Sequence, residues 1–413
     1  MKKIRYLEYY INNICFASNK MAFISGPRQC GKTTMAKNIL HSRNNVGAYY
    51  NWDELKFRKL WTKDPSQILQ QFQDINKTKP IIVLDEIHKA KLWKRNLKGI
   101  YDTLEFPCDI LVTGSARLNH YRKGSDSLLG RYYNFRLHPF SLAELLRRRE
   151  AEISAESLLK NLFSADIGKN KFHTELLLAL DKFGPFPEPF FAASQQTLNL
   201  WRRGRIEKLI REDLRDISKL PELSQIEMLV ALMSDRIANP LSIQALSEDL
   251  EVAYTTVKRW LLYLQELYYC FVIKPYHKSL KRTLKKTTKV YLWDWSEIDD
   301  EAKRFENLLA FHLLKYCDYL TDIGVGSFEL RYLRDKEQHE IDFILLRDGK
   351  PWFMIEAKQN HTHVSSNWSY FMERLPCKFA IQVVKKPGIY FKQSYPFGEI
   401  LIISADMFLS YLI

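Results

Sequence analysis

The residues best suited to chemistry form a glycine-rich stretch near the start of the chain. Residues 26–33 read GPRQCGKT and match the pattern G-x-x-x-x-G-K-[ST] at every fixed position. Glycines at these places let backbone N–H groups surround phosphate oxygens, the lysine reaches the β- and γ-phosphates, and the threonine hydroxyl can hold Mg²⁺. The stretch therefore predicts a site for ATP and Mg²⁺. The predicted contacts are Gly26, Pro27, Arg28, Gln29, Cys30, Gly31, Lys32, Thr33 and Thr34.

A second predicted strand supplies carboxylates to the same site. Residues 81–84 are all apolar and are followed by Asp85 and Glu86. Ligands of open α/β sheets bind at the carboxyl ends of the strands, which is where these two side chains emerge. We expect Asp85 to hold Mg²⁺ through water and Glu86 to polarise the attacking water. The alternative is a strand that simply ends in a polar turn.

Three further residues are candidates to complete this chemistry. A third predicted strand, residues 108–112, leads to Thr113 and Ser115, and either hydroxyl could sense the γ-phosphate or cap the strand. Arg131 follows Gly130 and could act as an arginine finger, in its own chain or in a neighbouring subunit of a homo-oligomer. The other interpretation of Arg131 is a solvated or salt-bridged side chain.

Another group of reactive residues lies near the C-terminus. Glu356 and Lys358 are two residues apart in an apolar stretch, so they share one face of a predicted strand, and Asp342 lies on the strand before it. This set suits Mg²⁺-assisted phosphodiester hydrolysis. The two carboxylates would bind the metal, and the ammonium would orient or activate water. The alternative is a buried polar cluster that is kept for folding.

The elements that position these residues can be read from the pattern around them. Residues 21–25 form a short apolar run typical of a strand, and residues 33–40 have a helical composition. A helix that begins at the loop directs its positive dipole end at the phosphates. The first site is therefore predicted to lie between a strand and a helix, as phosphate loops require.

The middle of the chain has the pattern of a helix-turn-helix. Residues 243–250 and 254–268 read as helices, and residues 270–275 and 289–293 read as strands that flank a basic hairpin. We interpret residues 221–295 as a winged helix that binds DNA phosphates, or one that serves only for packing. The net charge of +14 is compatible with a nucleic-acid partner or with a basic, soluble surface. The predicted wing contacts are Lys278, Lys281, Arg282, Lys285 and Lys286.

Length and composition limit the class of protein. The chain has 413 residues, enough for about two to four domains. No apolar run approaches the ~18 residues of a membrane span, and the N-terminus lacks the apolar core of a signal peptide. The six cysteines show no C-x-x-C spacing, which argues against zinc and against a disulfide framework. We therefore expect a cytoplasmic protein with no membrane partner.

Four segments together carry a family resemblance. Residues 26–34, 81–90, 111–118 and 128–146 resemble the AAA-type ATPase domain of many bacterial and archaeal chains. In those chains a C-terminal domain of unknown function with a restriction-endonuclease-like core follows, and the resemblance extends over almost the whole chain.

This resemblance implies a PD-(D/E)XK core at the C-terminus. Asp342, Glu356 and Lys358 match its motif residue by residue, and Glu306 takes the place of its helix carboxylate. Ile341 stands where a proline is usual. The resemblance implies that Glu306, Asp342 and Glu356 bind the metal.

The predicted fold class is α/β. We expect an AAA-type P-loop NTPase domain at residues 1–150, a helical connector at 151–220, a winged helix at 221–295 and an α/β restriction-endonuclease-like domain at 296–413. One hypothesis is an ATP-hydrolysing, DNA-engaging protein whose last domain cuts nucleic acid. The other is a nucleotide-switched DNA- or protein-binding module whose last domain is inert. A small-molecule kinase fits less well, since no acceptor site or lid is evident.

Overall fold

The computed structural model of the protein describes residues 5–72, 79–114, 128–146, 155–164, 173–210, 223–276, 287–360 and 363–413. The chain divides into two units, Met1–Pro139 and Phe140–Ile413. No helix in the described part of the chain combines the length and the apolar character that a bilayer crossing requires.

The first unit is built on a parallel sheet of five strands. The strands are β1 Met21–Ser25, β2 Gly47–Asn51, β3 Ile81–Asp85, β4 Asp109–Gly114 and β5 Tyr132–Arg136. Their order across the sheet is β2-β3-β4-β1-β5, and all neighbours run parallel. Every residue of β1, β3 and β4 is buried, which explains their largely continuous apolar sequences. Because β3, β4 and β1 are parallel neighbours, their carboxyl ends lie at one edge of the sheet.

Helices pack against this sheet through an aromatic-rich core. The helices among the described residues of the first unit are α1 Glu8–Tyr10, α2 Lys32–Ser42, α3 Leu55–Lys63 and α4 Trp93–Asp102. Phe57 and Trp61 of α3 and Trp93 of α4 join Phe23 and Leu84 of the sheet in one buried cluster. The strand and helix predicted around the glycine-rich loop are confirmed by β1 and α2.

The second unit contains a mixed sheet of eight strands. The helices in the part of this unit that the structure describes are α5 Leu142–Leu145, α6 Ala155–Phe163, α7 Thr174–Phe183, α8 Pro187–Ala192, α9 Gln195–Lys208, α10 Leu223–Met233, α11 Ile243–Asp249, α12 Tyr254–Glu266, α13 Glu301–Asp322, α14 Ser366–Met372 and α15 Ala405–Ser410. Its strands are β6 Cys270–Pro275, β7 Lys289–Leu292, β8 Phe328–Arg334, β9 Glu340–Arg347, β10 Lys350–Lys358, β11 Phe379–Val384, β12 Tyr390–Tyr395 and β13 Gly398–Ser404. Their order is β12-β13-β11-β10-β9-β8-β6-β7.

One pairing in this sheet has no counterpart in the sequence pattern. The helices predicted at residues 243–250 and 254–268 are confirmed as α11 and α12, and Ser242 caps α11 by accepting from the Ala245 N–H. The two strands that follow them do not form a separate hairpin, because β6 also pairs in parallel with β8. The strands of the predicted wing and of the C-terminal region thus belong to one sheet.

Candidate nucleotide site and carboxylate cluster

The glycine-rich loop joins β1 to α2 at the carboxyl edge of the first sheet. Gly31 has a φ of 98°, a left-handed conformation that glycine adopts without strain. A Cβ atom on Gly26 would lie 2.2 Å from the Leu137 carbonyl oxygen, so only glycine fits there. Both glycines of the motif are therefore required by the backbone path.

Lys32 is the charged group inside this loop. Its side chain is buried, and its Nζ donates to the carbonyl oxygens of Gly26, at 3.0 Å, and Pro27, at 2.6 Å. An ammonium that lies within the loop beside the start of α2 fits a triphosphate, since both features attract negative charge. Among the other predicted contacts, Arg28, Gln29, Thr33 and Thr34 are exposed, whereas Cys30 is buried.

Three hydroxyl groups converge on Asp85 at the end of β3. Its Oδ2 accepts from Thr33 Oγ1 at 2.6 Å and from the Tyr49 hydroxyl at 2.6 Å, and its Oδ1 accepts from the Thr113 hydroxyl. The structure therefore brings together Thr33 and Asp85, the two residues predicted to hold Mg²⁺ at the nucleotide site. Hydroxyl and carboxylate oxygens are the ligands that Mg²⁺ prefers, so this pair fits the ion.

Glu86 turns away from the strand directly after Asp85. Its φ of 58° is left-handed, and its Oε2 lies 3.6 Å from both His88 Nε2 and Lys89 Nζ. Burial raises the pKa of Glu86, while the charge of Lys32 opposes the shift. A carboxylate with a raised pKa at the edge of a nucleotide site is suited to act on a water molecule.

Arg131 lies at the other end of the sheet. It precedes β5, where Tyr132 is opposite Met21, whereas the loop follows Ser25 at the far end of β1. The five residues of β1 separate the two edges by about 16 Å. The guanidinium pairs with Asp102, at 2.6 Å from Nε to Oδ1 and 3.0 Å from Nη2 to Oδ2. The structure thus does not bring Arg131 to the loop of its own chain, and Ser115 falls outside the described residues.

Arg5 has a role at this site that no sequence pattern indicates. This buried side chain donates from Nη1 to the Cys30 carbonyl oxygen at 2.6 Å and from Nη2 to the His138 carbonyl oxygen at 2.6 Å. It thereby ties the glycine-rich loop to the segment after β5. A single arginine in a basic N-terminal stretch carries no signal that would have revealed this contact.

The four residues predicted at the C-terminal site lie in one cluster, in which Lys358 interacts with the charges of Glu356, Asp342 and Glu306. Glu306 comes from α13, Asp342 from β9, and Glu356 and Lys358 from β10. Asp342 Oδ2 accepts from the Ala357 N–H at 2.9 Å, and Lys358 Nζ lies 2.5 Å from Glu356 Oε1. Burial, and next the charge of Asp342, raises the pKa of Glu306 to about 7. Burial also raises the pKa values of Asp342 and Glu356.

Three members of this cluster, Lys289, Tyr291 and Glu340, were not predicted. Lys289 of β7 places its Nζ 2.5 Å from Glu340 Oε1, 3.3 Å from Glu306 Oε1 and 3.8 Å from Asp342 Oδ1. The Tyr291 hydroxyl donates to Glu306 Oε1 at 2.7 Å. Strand alternation could have placed Lys289 with Tyr291 on one face, and Glu340 with Asp342 on another. It could not have brought the two faces together.

The predicted metal ligands do not form a closed site. In the described part of the chain, the only three Asp, Glu, His or Cys ligand atoms within 4.8 Å of one another belong to Asp335, Glu337 and His339. Glu306, Asp342 and Glu356 do not meet this limit. In this arrangement the three carboxylates therefore do not converge on one point.

One face of α12 is open to solvent. Tyr254, Thr255, Lys258, Arg259 and Leu262 are exposed, while Val257, Trp260, Leu261 and Leu264 form the buried face. The predicted wing residues 278–286 lie outside the described part of the chain.

Comparison with protein families divides the chain into three matched regions. Residues 18–146 match a family described as an AAA domain. Residues 177–296 and 302–405 match two domains of unknown function, DUF8612 and DUF4143. The first region therefore carries an AAA domain, and the parallel sheet is its P-loop NTPase-like fold.

Sequence similarity to two other proteins extends over most of the chain. An uncharacterised protein of Methanocaldococcus jannaschii is 25% identical over 85% of this chain and 77% of its own. An uncharacterised protein of Haemophilus influenzae is 22% identical over 83% of this chain and 84% of its own.

Two solved structures also align with part of the chain. The Aeropyrum pernix ORC1 protein in complex with DNA aligns at 15% identity and a TM-score of 0.29, covering 70% of this chain and 86% of its own. AMPPCP-bound DnaA from Aquifex aeolicus aligns at 13% identity and a TM-score of 0.31, covering 63% and 86%.

Proposed function

We propose that the protein binds and hydrolyses ATP and uses the nucleotide to control its engagement of DNA. The observation that carries this proposal is the contact between Thr33 and Asp85 at 2.6 Å, beside an ammonium inside the loop. A Mg²⁺–triphosphate complex requires a lysine for the phosphates and a hydroxyl and a carboxylate for the metal ion. Glu86, the carboxylate next to this group, favours water as the phosphoryl acceptor.

Each residue has one task in this proposal. Lys32 and the N–H groups of the loop hold the phosphates, and Thr33 and Asp85 hold Mg²⁺, which neutralises phosphate charge when it is bound. Glu86 orients a water molecule for attack on the γ-phosphate and accepts a proton from it. Arg5 keeps the loop in place through the Cys30 carbonyl.

Steady-state ATP hydrolysis tests this assignment. We expect Lys32→Ala to abolish hydrolysis and binding, and Glu86→Gln to lower kcat by about 10²-fold or more while nucleotide still binds, because only the base is removed. Since burial raises the pKa of Glu86, kcat should fall on acidification at a pH above the ordinary 4.5 of a glutamate. Lys63→Ala, on the exposed surface of the same unit, is the control. Full activity in both site variants would refute the assignment.

We propose that α11, α12 and the strands β6 and β7 act as a winged helix that contacts DNA. The exposed face of α12, with Lys258 and Arg259, supports this, because two cations on a solvent-facing helix can reach phosphates. A module used only for packing or for a protein partner is the alternative.

We also propose that the last part of the chain has a restriction-endonuclease-like core. The order of α13, the antiparallel strands β8, β9 and β10, then α14 and the parallel strand β11, supports it. Cleavage of nucleic acid is a second candidate function, which the convergence of Glu306, Asp342, Glu356 and Lys358 favours. The inert domain is its alternative.

Plasmid nicking with Mg²⁺ or Mn²⁺ separates these alternatives. If the domain cuts, Asp342→Ala and Lys358→Ala should each lower nicking by about 10²-fold, since both act at the reacting phosphate. Chelation with EDTA should remove the same activity. Equal or absent nicking in the unmutated protein and both variants would exclude cleavage by this cluster.

A further inference from the structure

Lys289 is a charged side chain in an interior position. It is 1% exposed, although an ammonium without counter-charges is costly to bury. Three carboxylates surround it, from Glu340 at 2.5 Å, Glu306 at 3.3 Å and Asp342 at 3.8 Å. Lys289 is therefore the counter-ion of this cluster.

The three carboxylates are also held by other donors. Glu340 Oε2 accepts from Arg334 Nη1 at 2.9 Å, Glu306 Oε1 accepts from Tyr291, and Asp342 Oδ2 accepts from a backbone N–H. Each of the three carboxylates therefore has a hydrogen-bond donor besides Lys289. Glu356, the remaining predicted ligand, pairs instead with Lys358, and its Oε2 has no hydrogen-bond partner among the described residues.

We propose that Lys289 occupies the place of a divalent cation in this cluster and excludes such an ion from it. A Mg²⁺ ion needs its oxygen ligands at about 2.0–2.1 Å. The ammonium occupies the space between the carboxylates and leaves their oxygens at 2.5–3.8 Å from Nζ. The inference rests on the proposed nuclease-like arrangement of the sheet, and it favours the inert domain over Mg²⁺-dependent cleavage. It assigns a role to Lys289 of β7. This strand precedes the C-terminal region, which carries the motif residues.

Binding of Mn²⁺ to the full chain without nucleotide, followed by EPR, tests this inference. We expect Lys289→Met to bind one Mn²⁺ at least about tenfold more tightly than the unmutated protein, a gain of about 1.4 kcal/mol. Lys289→Arg should behave like the unmutated protein, because the charge remains. Lys315→Met, which removes another buried lysine paired with a carboxylate, should create no such site. Adding Asp342→Asn to Lys289→Met should remove the gain.

Two further measurements keep the test decisive if Lys289→Met does not fold. Lys289→Gln retains a hydrogen-bond donor on a shorter, neutral side chain and should show the same gain in Mn²⁺ affinity. The unmutated protein and Asp342→Asn should bind Mn²⁺ equally, since the cluster holds no ion in either. A site present in the unmutated protein and missing from Asp342→Asn would overturn the inference. This outcome is independent of nicking, which can be absent whether or not Mn²⁺ binds.

Discussion

Asp85 shows how one carboxylate can serve both the fold and the site. Three hydroxyl donors, from Thr33, Tyr49 and Thr113, satisfy its oxygens in a buried position. Only Thr33 belongs to the glycine-rich motif, so the other two hold the carboxylate in place. A carboxylate oriented in this way needs little rearrangement to receive Mg²⁺.

Arg5 provides a test of another single side chain. We expect Arg5→Ala to lower the free energy of unfolding by about 2–4 kcal/mol, because two buried carbonyl oxygens lose their donor. We also expect weaker nucleotide binding, since one of these carbonyls belongs to Cys30 in the loop. Urea unfolding and titration with a fluorescent ATP analogue measure the two effects.

The matched control is Arg58→Ala, an exposed arginine of the same unit. This substitution should change stability by less than about 0.5 kcal/mol, as is usual for surface positions. If Arg5→Ala were no less stable than this control, the two hydrogen bonds of Arg5 would not stabilise the loop.

Among the helices and strands, α12 combines a buried face with an exposed basic face. Val257, Leu261 and Leu264 pack inward at helical spacing, which leaves Lys258 and Arg259 on the outside. Strand β6, which follows α12, is anchored in the sheet by its pairing with β8. The exposed face therefore lies on a helix whose neighbours restrict its position.

The proposed DNA contact can be tested on this helix. We expect the double substitution Lys258→Ala and Arg259→Ala to weaken binding to duplexes of any sequence. The slope of log K against log salt should fall by about two, one for each phosphate that is no longer neutralised. Fluorescence anisotropy at several salt concentrations measures both quantities.

The control removes the same charge elsewhere, through Lys91→Ala and Arg95→Ala on the exposed surface of the first unit. An equal reduction of affinity in both double variants would attribute binding to net charge. An unchanged slope in the α12 variant would rule out phosphate contacts from this face.

In the molecule as a whole, strand order decides what the nucleotide site contains. Because β4 lies between β1 and β3, Thr113 reaches Asp85 from the neighbouring strand. Because β5 runs parallel to β1, Arg131 lies at the opposite edge. An arginine finger at Arg131 would therefore have to come from a neighbouring subunit.

Mixing of two variants tests a shared site of this kind. If Arg131 completes the site of a neighbouring subunit, Arg131→Ala and Glu86→Gln should each be deficient alone and regain ATP hydrolysis when combined. In a cyclic homo-oligomer, roughly a quarter of the interfaces would then join an intact Glu86 to an intact Arg131. ATP hydrolysis after subunit exchange measures the recovery.

Lys32→Ala mixed with Glu86→Gln serves as the control, because both changes affect the site of the same chain. We expect no recovery from that mixture. Absence of recovery with Arg131→Ala as well would leave Arg131 as the partner of Asp102 on the surface.

Features that depend on neighbouring residues could be predicted from the sequence alone. The loop between β1 and α2, the carboxylates after β3 and the helix pair α11 and α12 follow from spacing and from apolar periodicity, which act over a few residues. The places of Arg5, Arg131 and Lys289, in contrast, emerge only from the folded chain. They depend on pairing between strands far apart in the chain, such as β6 with β8, and such pairing leaves no local pattern in the sequence.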